Sequence, residues 1–343
     1  MTKTQKIRNL IIILVFMIIS TLSCVFYSKL NPLVVNLFAN EFNIVSNKNN
    51  MLVHFINVNQ ADAVAINLPD GKVMLIDAGS EDVNTTYINY LKDNVLHTFK
   101  KDYIDYLVLS HADMDHVGGA MKLLKNFQIG TIYMPNLSSN TESYQEILTF
   151  VQNNCNYRTT GEEFVINQNG YTIKFFEQLN NSNTNDASQV VKVEFMKSSF
   201  LFVGDISMSI EDEYVERYAD ELDCDVLKVA HHGSNSSTSN EFIDAVSPKY
   251  AVISVGAENT YGHPNFEVLT RLTNNSVKVL RTDKDDDILF VVGKNYNLLQ
   301  KNKTYFITSL TLNYVWLVVV LDCGLIILII NIILKKEKNK HIT

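Results

Sequence analysis

Four side chains of the kinds that bind divalent cations fall within six residues in Ser110-His111-Ala112-Asp113-Met114-Asp115-His116-Val117-Gly118-Gly119. His111, Asp113 and Asp115 are spaced by two, and His116 follows at once. A tight loop with this spacing can aim imidazole and carboxylate groups at two adjacent ions. Gly118-Gly119 lets the backbone turn closely into the next element. These ligand types suit zinc or manganese, and the absence of thiolate argues against a structural zinc site. A solvated polar loop is the bland alternative, and it leaves the clustering behind an apolar run unexplained.

Three further loops carry groups of the same chemistry. Asp205 closes the apolar run Phe200-Leu-Phe-Val-Gly204-Asp205. A carboxylate there can bridge two cations, or it can cap the helix that begins after Ser207. His231-His232-Gly233-Ser234 follows Val226–Val229. Adjacent histidines point in different directions, so at most one faces the metals, while the other can orient substrate or protonate a leaving group. His263 lies in Tyr261-Gly262-His263-Pro264, after the run Tyr250–Val255. His54 and His97 have no such company and read as a strand residue and a surface residue.

The elements that must position these loops follow from periodicity. Short runs rich in Val, Ile and Leu mark strands at Leu52–Val58, Ala63–Leu68, Lys72–Ile76, Tyr103–Leu109, Thr131–Met134, Tyr171–Phe176, Val190–Phe195, Phe200–Val203, Val226–Val229, Tyr250–Val255 and Val277–Arg281. Pro69-Asp70-Gly71 is a hairpin turn signal. Helical spacing predicts helices over Thr85–Leu96, Met121–Phe127, Ile210–Tyr218, Asn240–Val246 and Phe266–Leu272. Hairpins early, strand–helix alternation late and sites at strand ends describe a layered α/β sandwich.

These segments resemble the metallo-β-lactamase superfamily, in particular the hydrolase domain of ComEC-type DNA-uptake competence proteins. The matching pieces are Val53-His-Phe-Ile-Asn-Val-Asn-Gln60, Lys72-Val-Met-Leu-Ile-Asp77-Ala-Gly79, residues 110–119, Asn185-Asp-Ala-Ser188, Val203-Gly-Asp205, Leu227-Lys-Val-Ala-His-His-Gly-Ser234, Ile253-Ser-Val-Gly256, Tyr261-Gly-His-Pro264 and Arg281-Thr-Asp283. They run collinearly through residues 51–292. The resemblance implies an αββα sandwich with two divalent metal ions, Zn or Mn, at the strand ends between the sheets. It implies His111, Asp113, Asp115, His116, Asp205 and His263 as metal ligands. Asp77 is similar to a strand-end aspartate behind the ligands. Asn185 and Ser188 occupy the segment where other branches supply a further histidine. His231 or His232 is similar to a substrate-facing histidine, with His231 also a candidate ligand.

Two loops depart from the family pattern. The usual Asp-Val-Gly-Gln-Gly-Asp-Ala is here Asn57-Val58-Asn59-Gln60-Ala61-Asp62-Ala63, which keeps Asp62 but loses two glycines and with them the expected close backbone approach. Lys284-Asp285-Asp286-Asp287 also lacks a glycine. The expected reaction is hydrolysis of a phosphodiester, single-stranded DNA or an envelope polymer, by metal-activated water. Asp115 would orient the attacking oxygen, and His231 or His232 would assist the leaving group. A non-catalytic, membrane-anchored metal-binding recognition module is the competing reading.

The chain of 343 residues is 46% hydrophobic and 19% charged, which fits a folded domain with added apolar segments. Its formal net charge of −8 excludes a general electrostatic attraction for nucleic acid. Leu10 to about Tyr27 is long enough to cross a bilayer and follows Lys3, Lys6 and Arg8. It reads as an uncleaved anchor rather than a signal peptide or a lipoprotein signal ending at Cys24. A second span, about Leu310 to Leu334, precedes Lys335, Lys336, Lys338 and Lys340. Basic residues outside both spans predict a two-pass cell-membrane protein with cytoplasmic termini and an outward-facing domain. Asp322, costly in lipid, is expected to face a membrane partner, the other anchor or water. The expected organisation is an N-terminal anchor over 1–28, a linker over 29–50, the hydrolase domain over 51–294, a linker over 295–308, and a second transmembrane helix with a basic tail over 309–343. No cysteine pair has CxxC spacing, and Cys155 and Cys224 read as free thiols.

Overall fold

The computed structural model describes residues 49–97, 100–135, 141–168, 170–180, 183–293 and 296–302. Among them no helix is long and apolar enough to cross a membrane. Both expected anchors, with Cys24, Cys323 and Asp322, lie outside the described residues.

Strands β1 (Met51–Phe55), β2 (Val64–Asn67), β3 (Val73–Ile76), β4 (Tyr103–Val108), β5 (Gln128–Met134) and β6 (Tyr157–Thr159) join β14 (Ile288–Gly293) and β15 (Tyr296–Asn302) in one eight-stranded sheet. Its order is β15-β14-β1-β2-β3-β4-β5-β6. A seven-stranded sheet contains β7 (Phe164–Gln168), β8 (Tyr171–Phe175), β9 (Val191–Phe195), β10 (Ser198–Phe202), β11 (Val226–Lys228), β12 (Tyr250–Ile253) and β13 (Lys278–Arg281), in the order β13-β12-β11-β10-β9-β8-β7.

Side chains of a strand alternate between its two faces, and the cores divide accordingly. Met51, Val53 and Phe55 of β1 and Val64 and Ile66 of β2 meet Ile173, Val193, Phe200 and Val252 in the core between the sheets. Leu75 of β3 and Leu107 of β4 belong instead to an outer core with Ile88, Leu91, Leu123 and Val151 from helices. Across the molecule, Leu201 and Leu227 pack with Ile210, Tyr214 and Phe242, while Ala251 and Ile253 pack with Val268 and Leu272. The result is four layers, helix–sheet–sheet–helix.

Strands β3, β4, β5 and β6 run parallel, as do β10, β11, β12 and β13. Parallel strands end on the same side of their sheet, where α/β proteins collect their functional loops. The helices that return the chain carry local start signals. The Asn84 side chain accepts the Thr86 and Tyr87 N–H groups, and Ser239 Oγ accepts that of Phe242.

The structure departs from the sequence expectation in several regions, and β6, β7 and β14 are strands that the expectation lacked. The first strand stops at Phe55, and residues 56–63 form a loop held by the Ile56 N–H to the Ala63 carbonyl at 3.0 Å. Glu142–Asn154 is a helix that buries Tyr144, Ile147 and Val151, a stripe too sparse among polar residues to mark it. The sheet also continues past residue 294, because β15 pairs antiparallel with β14. Its polar run reads as a linker and is a strand because β14 leaves an open edge.

Phe290 sits at the junction of the sheets, fully buried, with ring centroids 5.9 Å from Phe55, 5.8 Å from Phe200 and 5.3 Å from Tyr250. Phe290→Ala is expected to destabilise the domain by about 3–5 kcal/mol, read from denaturant unfolding followed by circular dichroism. A loss below about 1 kcal/mol would show that this site can collapse around the void.

Candidate metal centre

The loops after β3, β4, β10, β11 and β12 converge at the strand ends. Asp77 follows β3 with φ +62°, so its carboxylate turns back under the 110–116 loop. It accepts the Ser110 N–H at 2.7 Å and the Ser110 hydroxyl at 2.8 Å, and its Oδ2 lies 2.7 Å from His116 Nδ1. That contact fixes the His116 tautomer, with Nδ1 as donor and Nε2 turned the other way. The tight turn is enforced by Gly119, where a Cβ would stand 2.1 Å from the Ala78 carbonyl oxygen.

His116 Nε2 lies 3.4 Å from Asp205 Oδ1. Asp205 does not cap the following helix. Its Oδ1 accepts the His231 N–H at 3.1 Å, and Oδ2 is 3.7 Å from His232 Nε2. Ser188 Oγ accepts the Asp205 N–H at 3.0 Å and donates to the Asn185 carbonyl at 2.6 Å, which holds the aspartate at its strand end. His232 Nδ1 is 2.9 Å from the Ser254 carbonyl, leaving Nε2 to meet Asp115 Oδ2 at 3.1 Å. Potential ligand atoms of Asp115, His116, Asp205 and His232 all lie within 4.8 Å of one another. Asp62, Asp77 and His116 form a second such group.

The two adjacent histidines therefore part, as expected. His231 and His232 both take left-handed backbone angles, with φ +49° and +52°. His232 is buried in the cluster, whereas the half-buried His231 has Nδ1 3.5 Å from Ser236 Oγ and its ring 5.7 Å from that of His263. His111, Asp113 and His263 stand outside the four-residue group. His111 is fully buried, with its ring 4.0 Å from that of His116 and Nε2 3.9 Å from Asp113 Oδ2. Asp113 occupies a helix N-cap position but makes no side-chain capping bond, so its carboxylate is uncommitted there. His263 Nδ1 and Asn185 Oδ1 are buried polar atoms with no hydrogen-bond partner.

Lys228 carries a role that the sequence reading did not assign. Its ammonium is buried, 2.5 Å from Asp62 Oδ2 and 2.9 Å from the Val229 carbonyl. Lysine at the end of an apolar strand, followed by the two histidines, was the available signal. Asp62 is itself 3.8 Å from His116 Nδ1 and 3.5 Å from His232 Nδ1.

The loops that lost glycines keep glycine-like backbone. Asn59 has φ +64° and Asp286 has φ +57°. Asn and Asp tolerate this region better than most side chains. The loops are joined to each other, since Asn57 N–H donates to Asp287 Oδ1 and Asn57 Nδ2 to Asp286 Oδ1.

The donor set fits divalent cations. His111 Nε2 and His116 Nε2 are buried with no hydrogen-bond partner, which is costly unless something else satisfies them. Among the described residues, the carboxylates of Asp62, Asp77, Asp115 and Asp205 face one buried ammonium, that of Lys228. Burial holds His111 down at about 4, so it is a neutral donor at pH 7. For His116 and His232 burial acts downward too, but Asp205 and the other carboxylates outweigh it and raise both. Burial pushes Asp115 upward, yet the His232 bond and His116 bring it down to about 2.

Two measurements follow. Because the carboxylates raise His116 and His232, protons compete with a metal for these nitrogens above the ordinary imidazole range, so metal binding should release protons and affinity should rise with pH; titration in weakly buffered indicator solution reads both. Asp77→Asn should lower metal affinity by about 10–100-fold, measured by competition with a chromophoric chelator, and an unchanged affinity would show that Asp77 does not orient His116.

A model of the metallo-beta-lactamase superfamily matches residues 56–257 of the chain. The chain is 32% identical over 190 residues to ComE operon protein 3 of Bacillus subtilis, covering 54% of this chain and 24% of that protein. It is 32% identical over 202 residues to competence protein ComA of Neisseria gonorrhoeae, covering 59% of this chain and 27% of that protein. The match thus spans about a quarter of the length of these relatives. The metallo-beta-lactamase fold protein YhfI from Bacillus subtilis aligns at TM-score 0.48 and 12% identity, covering 71% of this chain and all of that one. With a family model matching more than half of its residues, this chain belongs to the metallo-β-lactamase superfamily.

Proposed function

We propose that this chain is a membrane-anchored two-metal hydrolase of phosphodiester bonds. The observation that carries the hydrolase reading is the buried cluster of Asp115, His116, Asp205 and His232 around the unpartnered Nε2 of His116. One ion would be held by His111 and Asp113, with Asp205 shared between the two. The other would be held by Asp115, His116 and Asp205 with His232 or His263. When bound, the ions would supply Lewis acidity and a water of lowered pKa.

The chain's own groups complete the reaction. Asp115 accepts a hydrogen bond and can orient the attacking oxygen from its half-buried position. Where His263 completes the second ion's ligands, His232 stays tied to Asp115 and the Ser254 carbonyl and keeps that carboxylate in place. His231 sits further out, beside Ser236 Oγ and the His263 ring, where it can give a proton to the departing oxygen. Competence proteins among the relatives support DNA as the polymer. The proposal concerns the hydrolytic step alone, because the chain matches only part of those proteins. An outward-facing domain between two anchors would meet single-stranded DNA or a phosphodiester polymer of the envelope, with Asp322 facing a membrane partner.

The test uses the full chain in detergent, with metal content measured beside manganese- or zinc-dependent hydrolysis of an aryl phosphodiester and of single-stranded DNA. Two metals per chain are expected, with kcat falling at least about a hundredfold in Asp115→Ala. Two metals without turnover on either substrate would favour a recognition module, and a folded chain that binds no metal would overturn the centre itself.

A further inference from the structure

A row of rings runs from the floor of the metal centre to the surface. His111 contacts His116 at 4.0 Å between centroids, and His116 contacts His232 at 5.5 Å. His232 then meets His231 at 6.4 Å, His231 meets His263 at 5.7 Å, and His263 stacks with Tyr261 at 5.7 Å and 25°. Burial falls along the row, from complete at His111 to 70% exposed at Tyr261. Phe266, close by in sequence, is 78% exposed, whereas the next most exposed large hydrophobic side chain among the described residues, Met196, reaches 49%.

Exposed rings are hydrophobically costly, and these two stand on a segment that is held rather than loose. Asn259 Nδ2 donates to the Gly256 and His263 carbonyls, and the Asn259 side-chain oxygen accepts the His263 N–H. The Asn265 N–H donates to the Gly233 carbonyl and its Oδ1 accepts the Asn235 N–H, which ties this segment to the loop carrying His231 and His232. Tyr261 is thus fixed at the outer end of the row that leads to the reacting centre, and Phe266 stands exposed five positions further along the same tied segment.

We propose that Tyr261 and Phe266 form a stacking platform for a nucleobase next to the scissile phosphodiester, a proposal that rests on the hydrolase reading above and names its substrate as single-stranded nucleic acid. Flat rings suit every base, so the platform grips a strand without reading its sequence. It also gives an acidic protein a means of holding a polyanion that does not depend on surface lysines: the ions of the centre would take the phosphate, and the rings would take the base.

The experiment uses the full chain in detergent with manganese present. It compares kcat/KM for a single-stranded oligodeoxynucleotide with that for the same strand carrying abasic sites. A 2-aminopurine strand reports stacking directly through quenching of its fluorescence on binding. Wild type is expected to prefer the base-bearing strand and to quench 2-aminopurine. Tyr261→Ala and Phe266→Ala should each cut the preference by about tenfold and weaken the quenching, while Tyr261→Phe keeps both. Equal cleavage of the two strands by wild type, or an unchanged preference in both alanine variants, would overturn the platform and leave the hydrolase reading standing. Failure of wild type to cleave either strand would overturn both.

Discussion

Buried negative charge is the constraint around which this domain is organised. Carboxylate oxygens of Asp62 and Asp77 lie within 4.8 Å of each other, as do those of Asp115 and Asp205. At such separations two like charges repel by about 3–4 kcal/mol even at an effective dielectric constant of 20. The chain offsets this in part from within. Lys228 neutralises Asp62, and the backbone N–H groups of Ser110 and His231 donate to the carboxylates of Asp77 and Asp205. The remaining excess of negative charge, set beside unpartnered imidazole nitrogens, is the electrostatic definition of a divalent cation site.

Backbone strain is concentrated at the same place. Asp77, Gly204, His231 and His232 all take positive φ, and three of these four are not glycine. Such conformations persist where surrounding contacts over-determine them. Here the contacts are Asp77 to Ser110, and Asp205 to both Ser188 and the His231 N–H. At Gly204 a Cβ would lie 2.5 Å from Ser188 Oγ, so the serine that holds Asp205 also excludes any side chain there. The same logic explains how the first loop tolerates its missing glycine: Asn59 adopts the left-handed angle itself, and Asn57 ties the loop to Asp286 and Asp287 across the sheet end.

Residue composition changes in step with depth. Imidazoles and carboxylates share the floor of the site, where His111, His116, His232, Asp62, Asp77 and Asp205 are all buried, and Tyr261 and Phe266 are exposed.

How much of this was legible in the sequence follows from the range of each interaction. The 110–119 cluster, the strand-ending Asp205 and the histidine loops could be read because ligand type and strand-end position are local properties. The sandwich was legible for a similar reason, since alternating and helical apolar patterns are written over four to ten residues. The sequence could not say which of His231 and His232 turns inward, because the choice depends on a left-handed turn and on the Ser254 carbonyl that accepts from His232. It could not show that Lys228 answers Asp62 across 166 positions, nor that Asn59 takes a left-handed backbone angle. It read β15 as a linker because the run is mostly polar, and its hairpin pairing with the neighbouring β14 rests on backbone hydrogen bonds that carry no side-chain pattern. Residue types, spacing and periodicity were fixed by the sequence alone, whereas ring direction and charge pairing were decided by tertiary structure, because each depends on a partner that only the folded sheets bring within reach.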